Sequence, residues 1–170
     1  MSTRPKRLKG YEMTIPEYIA RQTERIADSL AHFIAATPED KLAWHPSCEG
    51  SAHTRSILEQ VSECVNVNRM VAALLRGSDA APLANLPDIH FANGQDAQEQ
   101  LVSSARELSS ALRVMTDDDL TRVYNHPRAQ MAGENLIMSC YRNMAYHAGQ
   151  ANFIQVLYGD AEFHVPPTWR

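Results

Sequence analysis

"YRNMAYHAGQANFIQVLYGD", residues 141–160, decides the fold, because its apolar positions recur at helical spacing and Gly159 stands where a helix would stop. Three polar side chains interrupt the apolar stripe. At about 100° per residue, Leu136, Cys140, Asn143, His147, Gln150, Ala151 and Ile154 fall within roughly 100° of one another. The face that should be buried therefore carries two amides and an imidazole. Asn143 and His147 are four apart and stack as neighbours, with Gln150 three residues further on.

Moving toward the N-terminus, a second helix from about Thr54 to "LLRG" repeats the pattern. Gln60, Cys64 and Asn68 share the arc of Ile57, Val61 and Leu75, with Glu63 at its edge and Gly77 as the stop. A buried polar group without a partner costs about 1–3 kcal/mol, so these side chains must bond one another, water or a ligand. Two readings stay open: a polar network that only fixes helix register, or a pocket in the core, where helix bundles build ligand and metal sites.

Two more amphipathic helices complete the set. "TIPE" at 14–17 places Thr14 three before Glu17, with Pro16 in the first turn, and predicts a capped helix running to Ala36. "QDAQEQLVSSARELSSALRVM" at 95–115 aligns Leu101, Ala105, Leu108, Leu112 and Met115. "TPEDKLAWHPSCEGSAHT" reads as a connection with one short helical turn, and residues 116–133 read as a loop. No convincing alternating strand pattern appears. The fold class expected is all-α, a four-helix bundle with longer inter-helix connections that leave room for a crossover.

The 170 residues suit one domain, with residues 1–10 as a basic, solvated tail and 160–170 as an extended tail packed on the body. Sixteen basic against twenty acidic residues give a net charge of -4. That balance offers no global attraction to nucleic acid or to an anionic membrane, so neither is an expected partner. The sequence shows no signal-peptide pattern and no run of apolar residues long enough to span a bilayer, which places the protein in the cytoplasm. Its three cysteines, Cys48, Cys64 and Cys140, lack C-x-x-C spacing and read as reduced thiols.

The segments "RSILEQVSEC" and "NMAYHAGQANFIQVLYGD", in a four-helix order, resemble the DinB-like (DinB/YfiT) superfamily. The His-x-Gly-Gln run followed by Leu-Tyr-Gly is the most specific element. The resemblance implies a four-helix bundle that often pairs as a homodimer and binds a divalent metal through three histidines, one in helix two and two spaced four apart in helix four. It also implies thiol-dependent transferases among the relatives, including an isomerase that uses a low-molecular-weight thiol. Carried over, the last histidine is His147, the position four before it is Asn143, and the helix-two position is Gln60.

Amide oxygens are weaker donors than imidazole toward zinc, nickel or iron, so a Gln60, Asn143, His147 set should hold such metals poorly. Glu63 could supply a carboxylate if its helix turns slightly, and Cys64 or Cys140 a thiolate. Two mechanisms follow. With a metal, His147 and Glu63 are the strongest ligands, and Asn143 and Gln60 contribute oxygen or orient water. Without one, His147 is a general base toward a thiol or water, its tautomer fixed by Asn143 or Gln60. The function expected is a thiol- or metal-dependent transferase or hydrolase acting on a small molecule, with an altered central site of Gln60, Glu63, Cys64, Asn143, His147 and Gln150. The alternative is a non-catalytic ligand-binding or stress-response bundle that has lost its metal.

Elsewhere, His45, Cys48 and His53 have no standard metal spacing and read as a solvent-facing segment. Tyr124 and His126, just before the last helix, could approach the pocket mouth, but the solvent-facing reading is again preferred. "TDDDL" at 116–120 reads as a helix-capping turn and not as a calcium loop.

Overall fold

The computed structural model describes residues 13–47, 54–79 and 81–169. The basic N-terminal tail at 1–10, Cys48 and His53 therefore lie outside the described residues. Helix α1 spans Ile15–Ala36 and opens as its sequence predicts, with the Thr14 hydroxyl accepting from the Glu17 amide at 3.2 Å. The short α2, Glu39–Leu42, is the single turn expected in the first connection. Helix α3, Ile57–Leu75, starts three residues later than the apolar pattern suggested, because Ser56 and Glu59 form a reciprocal capping box. Gly77, at φ 87°, ends the helix in a backbone conformation that favours glycine.

Helix α4, Gly94–Leu112, stops short of Met115, and α5, Asp117–Thr121, follows at once. The three aspartates do form a capping turn, in which the Asp119 carboxylate accepts from the Thr116 amide and hydroxyl, each at 2.8 Å. The last long helix, α6, is Gly133–Leu157.

One expectation needs correction. Residues 116–133 are not a loop, since β1 (Val123–His126) pairs antiparallel with β2 (Ala129–Ala132) in a hairpin, Val123 opposite Ala132. Strands of four residues are too short to show an alternation, and the Pro127-Arg128 turn lacks the glycine or asparagine that marks tight hairpins. Tyr124, opposite Met131, is the one buried residue of β1.

Helices α1 and α3 each pack on both α4 and α6, which gives the order α1, α4, α3, α6 around the bundle. The connections from α1 to α3 and from α4 to α6 therefore cross between diagonal partners, a crossover topology. Apolar side chains fill two clusters: Phe33, Ile34, Val61, Leu101 and Met144 with their neighbours in one, and Val71, Leu108, Leu136 and Ile137 with theirs in the other. Among the described residues, no helix is long and apolar enough to cross a membrane.

Several polar groups inside this core are bonded, while Thr23 Oγ1 and Asn68 Oδ1 are buried without a partner. Gln155, fully buried on α6, donates to the Phe33 carbonyl and the Thr37 hydroxyl of the α1 end, both at 3.1 Å, and accepts from Asn152. Asn68 donates to the Ser104 hydroxyl at 3.1 Å. Along the C-terminal stretch, the Trp169 indole donates to the Ser29 hydroxyl, and its ring meets Phe33 edge-on at 6.4 Å.

Caps give the fold an acid dependence. Hydrogen bonds from the Ala92 amide and Gln100 hold the Asp96 carboxyl below its usual range, and those from the Thr116 amide and hydroxyl do the same for Asp119. A depressed folded pKa means stability that is complete above the unfolded value near 3.8 and is lost as the pH falls through the lower folded value. The melting temperature should therefore fall as the pH drops below about 4. The Asp96→Asn and Asp119→Asn double variant should show a shallower fall in calorimetry, and an unchanged slope would contradict this account.

Candidate functional site

The site begins with the register of two facing helices. The α3 positions 60 and 63 and the α6 positions 143, 147 and 150 come together where α3 packs on α6. His147 is 4% exposed and Gln60 5%, whereas Glu63, Asn143 and Gln150 are half-buried. The buried face of α6 centres on Met144, Ala148 and Ala151, so Asn143 and Gln150 sit at its edge and not in its middle.

Hydrogen bonds fix each group. His147 Nδ1 lies 3.1 Å from Gln60 Oε1 and 2.8 Å from Gln150 Oε1. Gln60 is oriented independently, since its Nε2 donates to the Arg55 carbonyl at 3.3 Å, which leaves its oxygen for the ring. With carbonyl oxygens on that side, Nδ1 carries the proton and donates. Nε2 therefore faces the other way, and it is buried without a hydrogen-bond partner.

What Nε2 faces is Glu63 Oε1, at 3.6 Å. The same oxygen accepts from Asn143 Nδ2 at 3.1 Å, while Asn143 Oδ1 is buried and unpartnered. The other carboxylate oxygen, Oε2, is taken by the Arg55 guanidinium. Burial alone would raise the Glu63 carboxyl. The Arg55 hydrogen bond, the His147 ring, the Arg55 charge and the Asn143 amide outweigh it and hold the group below the usual carboxylate range.

The remaining predicted residues separate from this cluster. Cys64 is fully buried among apolar neighbours, and burial pushes its thiol well above the ordinary range, with Cys140 likewise pushed up to about 12. Neither offers a thiolate at neutral pH. His45 bonds Glu59 at 2.7 Å beside the α3 cap. Tyr124 packs near Leu136 and Ile137, ten or more residues and about 15 Å along α6 from His147, so Tyr124 does not reach the site. Cavities of about 250 Å³, beside Gly77 and Tyr124, and about 110 Å³, between α1 and α4, also lie elsewhere.

Arg55 is the residue that sequence reasoning missed. It precedes the α3 cap, and no periodicity reports which way a residue before a helix points.

A divalent metal, implied by the family resemblance, can be tested against these groups. Among the described residues, no three His, Cys, Asp or Glu side chains form a cluster that could hold one. A three-imidazole centre does not fit, because positions 60 and 143 are amides and the Gln60 oxygen is spent on Nδ1. Of a mixed set, two donors, His147 Nε2 and Glu63 Oε1, face each other. The 3.6 Å between Nε2 and Oε1 is too long for a hydrogen bond, yet within the span of two donors each about 2.1 Å from one ion. Ring and carboxylate are also braced from behind, by Gln60 with Gln150 and by Arg55, as metal ligands usually are.

Comparison with known proteins supports the architecture. The crystal structure of a conserved protein from Enterococcus faecalis shares the fold, with a TM-score of 0.67 over 85% of this chain and 97% of that one at 16% identity. No curated protein matches the chain. The sequence pattern of the DinB superfamily matches residues 22–151, from the first turns of α1 through the site on α6, and the chain belongs to that superfamily.

Proposed function

We propose that the protein is a cation-dependent transferase or hydrolase whose centre is His147, Glu63 and Asn143. One observation carries this reading: a buried imidazole nitrogen, Nε2, has no hydrogen-bond partner although Nδ1 has two and a carboxylate oxygen lies 3.6 Å away. An unpartnered buried acceptor costs about 1–3 kcal/mol, so a group that bonds Nε2 would stabilise the site.

A divalent cation at this position would supply Lewis-acid polarisation of a bound small molecule. The chain's own residues prepare the place for it. Gln60 and Gln150 hold the Nδ1 proton, which keeps the Nε2 lone pair turned inward. Arg55 holds Oε2 and thereby fixes Oε1 toward the ring. His147 is 4% exposed, and its burial strengthens electrostatic attraction at Nε2.

Elemental mass spectrometry of the untagged protein, after dialysis against zinc, nickel, manganese and iron in turn, should show close to one ion per chain, lost in His147→Ala and Glu63→Gln. No bound metal under any of these conditions would overturn the proposal and leave a buried imidazole beside a carboxylate.

A further inference from the structure

Helix α6 carries apolar side chains on both of its faces. The inner face belongs to the core, while Tyr146, Gly149, Phe153, Val156 and Leu157 face solvent, with Tyr146 65% and Phe153 61% exposed. No Lys, Arg, Asp or Glu occurs between Arg142 and Asp160. The outward positions of α4 differ: Gln95, Glu99, Ser103, Arg106 and Ser110 are all polar. We infer that the outer face of α6 is a self-association surface, on which a second copy of the chain lays its own α6 antiparallel across a two-fold axis beside Gly149. This inference stands apart from the cation-binding reading, since none of these outward residues holds that centre.

Spacing, charge and area name the occupant. Arg142, Tyr146, Gly149, Phe153 and Val156 lie within about 80° around the helix, and the two rings stand about 4.5 and 6 Å to either side of Gly149 along its axis. An antiparallel copy therefore sets its Phe153 on this Tyr146 and its Tyr146 on this Phe153, two aromatic pairs related by the axis. The apolar stretch is bounded by Arg142 at one end and by Asp160 and Glu162 at the other. Hydrogen bonds from His164, at 2.7 Å, and from the Glu162 amide, at 3.0 Å, hold the Asp160 carboxyl below its usual range, so it is ionised at neutral pH. Antiparallel pairing brings each Arg142 to the acidic end of the other copy, whereas parallel pairing would set like charges together. Finally, the exposed parts of Tyr146, Phe153, Val156 and Leu157 come to roughly 400 Å² per copy, since an aromatic side chain alone carries about 150–250 Å². With its polar rim the pair buries on the order of 1,000 Å², the lower end for a specific interface, so the association is reversible on dilution.

Analytical ultracentrifugation of the untagged full-length protein, from micromolar to near-millimolar concentration, tests the pairing. The expected result is a reversible shift from one chain to two. Phe153→Glu should weaken association about 100-fold or more, because two carboxylates replace two rings at the centre, and Arg142→Glu about 10-fold. Gly149→Cys, in a Cys48→Ser background with oxidised glutathione as the oxidant, should form a disulfide with its own copy. Residues beside a two-fold axis bring their Cα atoms within the roughly 7 Å that a disulfide spans. Ser103→Cys, on the outward face of α4, should not link. A Cβ at Gly149 meets nothing within 4 Å and Phe153 is exposed, so both changes spare the fold, which circular dichroism checks. A single chain at every concentration would overturn the inference. So would a dimer undiminished in Phe153→Glu, or a Gly149→Cys variant that links no better than Ser103→Cys. Tighter association in Arg142→Glu would overturn the antiparallel arrangement.

Discussion

Gly133→Ala is expected to destabilise the protein by about 3 kcal/mol or more, a fall in melting temperature of roughly 6–12 °C. Gly133 joins β2 to α6, and its amide donates to the Arg122 carbonyl at 2.9 Å. A Cβ there would meet the Asp119 carbonyl oxygen at 2.0 Å and the Leu120 Cα at 3.1 Å. Both obstacles are backbone, so neither can swing aside as a side chain could. Relief would require α5 to move away from the start of α6. Thermal unfolding by circular dichroism checks the claim, with Gly149→Ala as the control. Nothing lies within 4 Å of a Cβ at Gly149, in the middle of α6, so that change should be neutral or stabilising, by up to about 1 kcal/mol. Equal melting temperatures for Gly133→Ala and the unmodified protein would refute the clash.

Phe33→Ala should cost about 3–5 kcal/mol, the range for truncating a buried aromatic ring. Phe33 is 2% exposed and sits in the cluster filled by Leu30, Ile34 and Leu42. Its ring also supports the Trp169 indole edge-on. Truncation should therefore shift Trp169 fluorescence to the red as well as lower stability. Phe163 contacts the same indole at 6.0 Å but is 56% exposed, and Phe163→Ala should cost less than about 1 kcal/mol. If the two variants melted alike, burial would not be what makes Phe33 count.

The long helices were legible because burial imposes a periodicity on the chain. Thr14 with Glu17, and the glycines at 77 and 159, marked ends that local hydrogen bonding decides. Where a boundary depends on a reciprocal cap, as at Ser56 and Glu59, apolar spacing ran past it by three residues. The hairpin was hidden for a related reason: four residues per strand carry too little pattern, and what holds it in place is packing of Tyr124 on α6.

The site was legible in part. An imidazole and amides on an apolar stripe announced His147, Gln60 and Asn143. What each amide bonds could not be read, because a glutamine offers an oxygen and a nitrogen and sequence does not choose between them. Gln60 serves the ring only because the Arg55 carbonyl takes its nitrogen. Glu63 looked marginal on a helical wheel, yet a side chain of its length reaches inward from the edge of the stripe. Gln155 was not singled out at all, although it is fully buried, since a lone amide among apolar residues gives no hint of a partner more than 100 positions away.

That amide has a mechanical consequence. Both donors of Gln155 are committed to fixed points at the end of α1, so sliding α6 along its neighbour by one turn, about 5.4 Å, would strand a carbonyl, a hydroxyl and an amide together. Gln155 thus works as an index pin for the helix. His147 rides on the same rigid rod two turns away, and the height at which it meets Glu63 is set as much by this remote pin as by the residues that touch it.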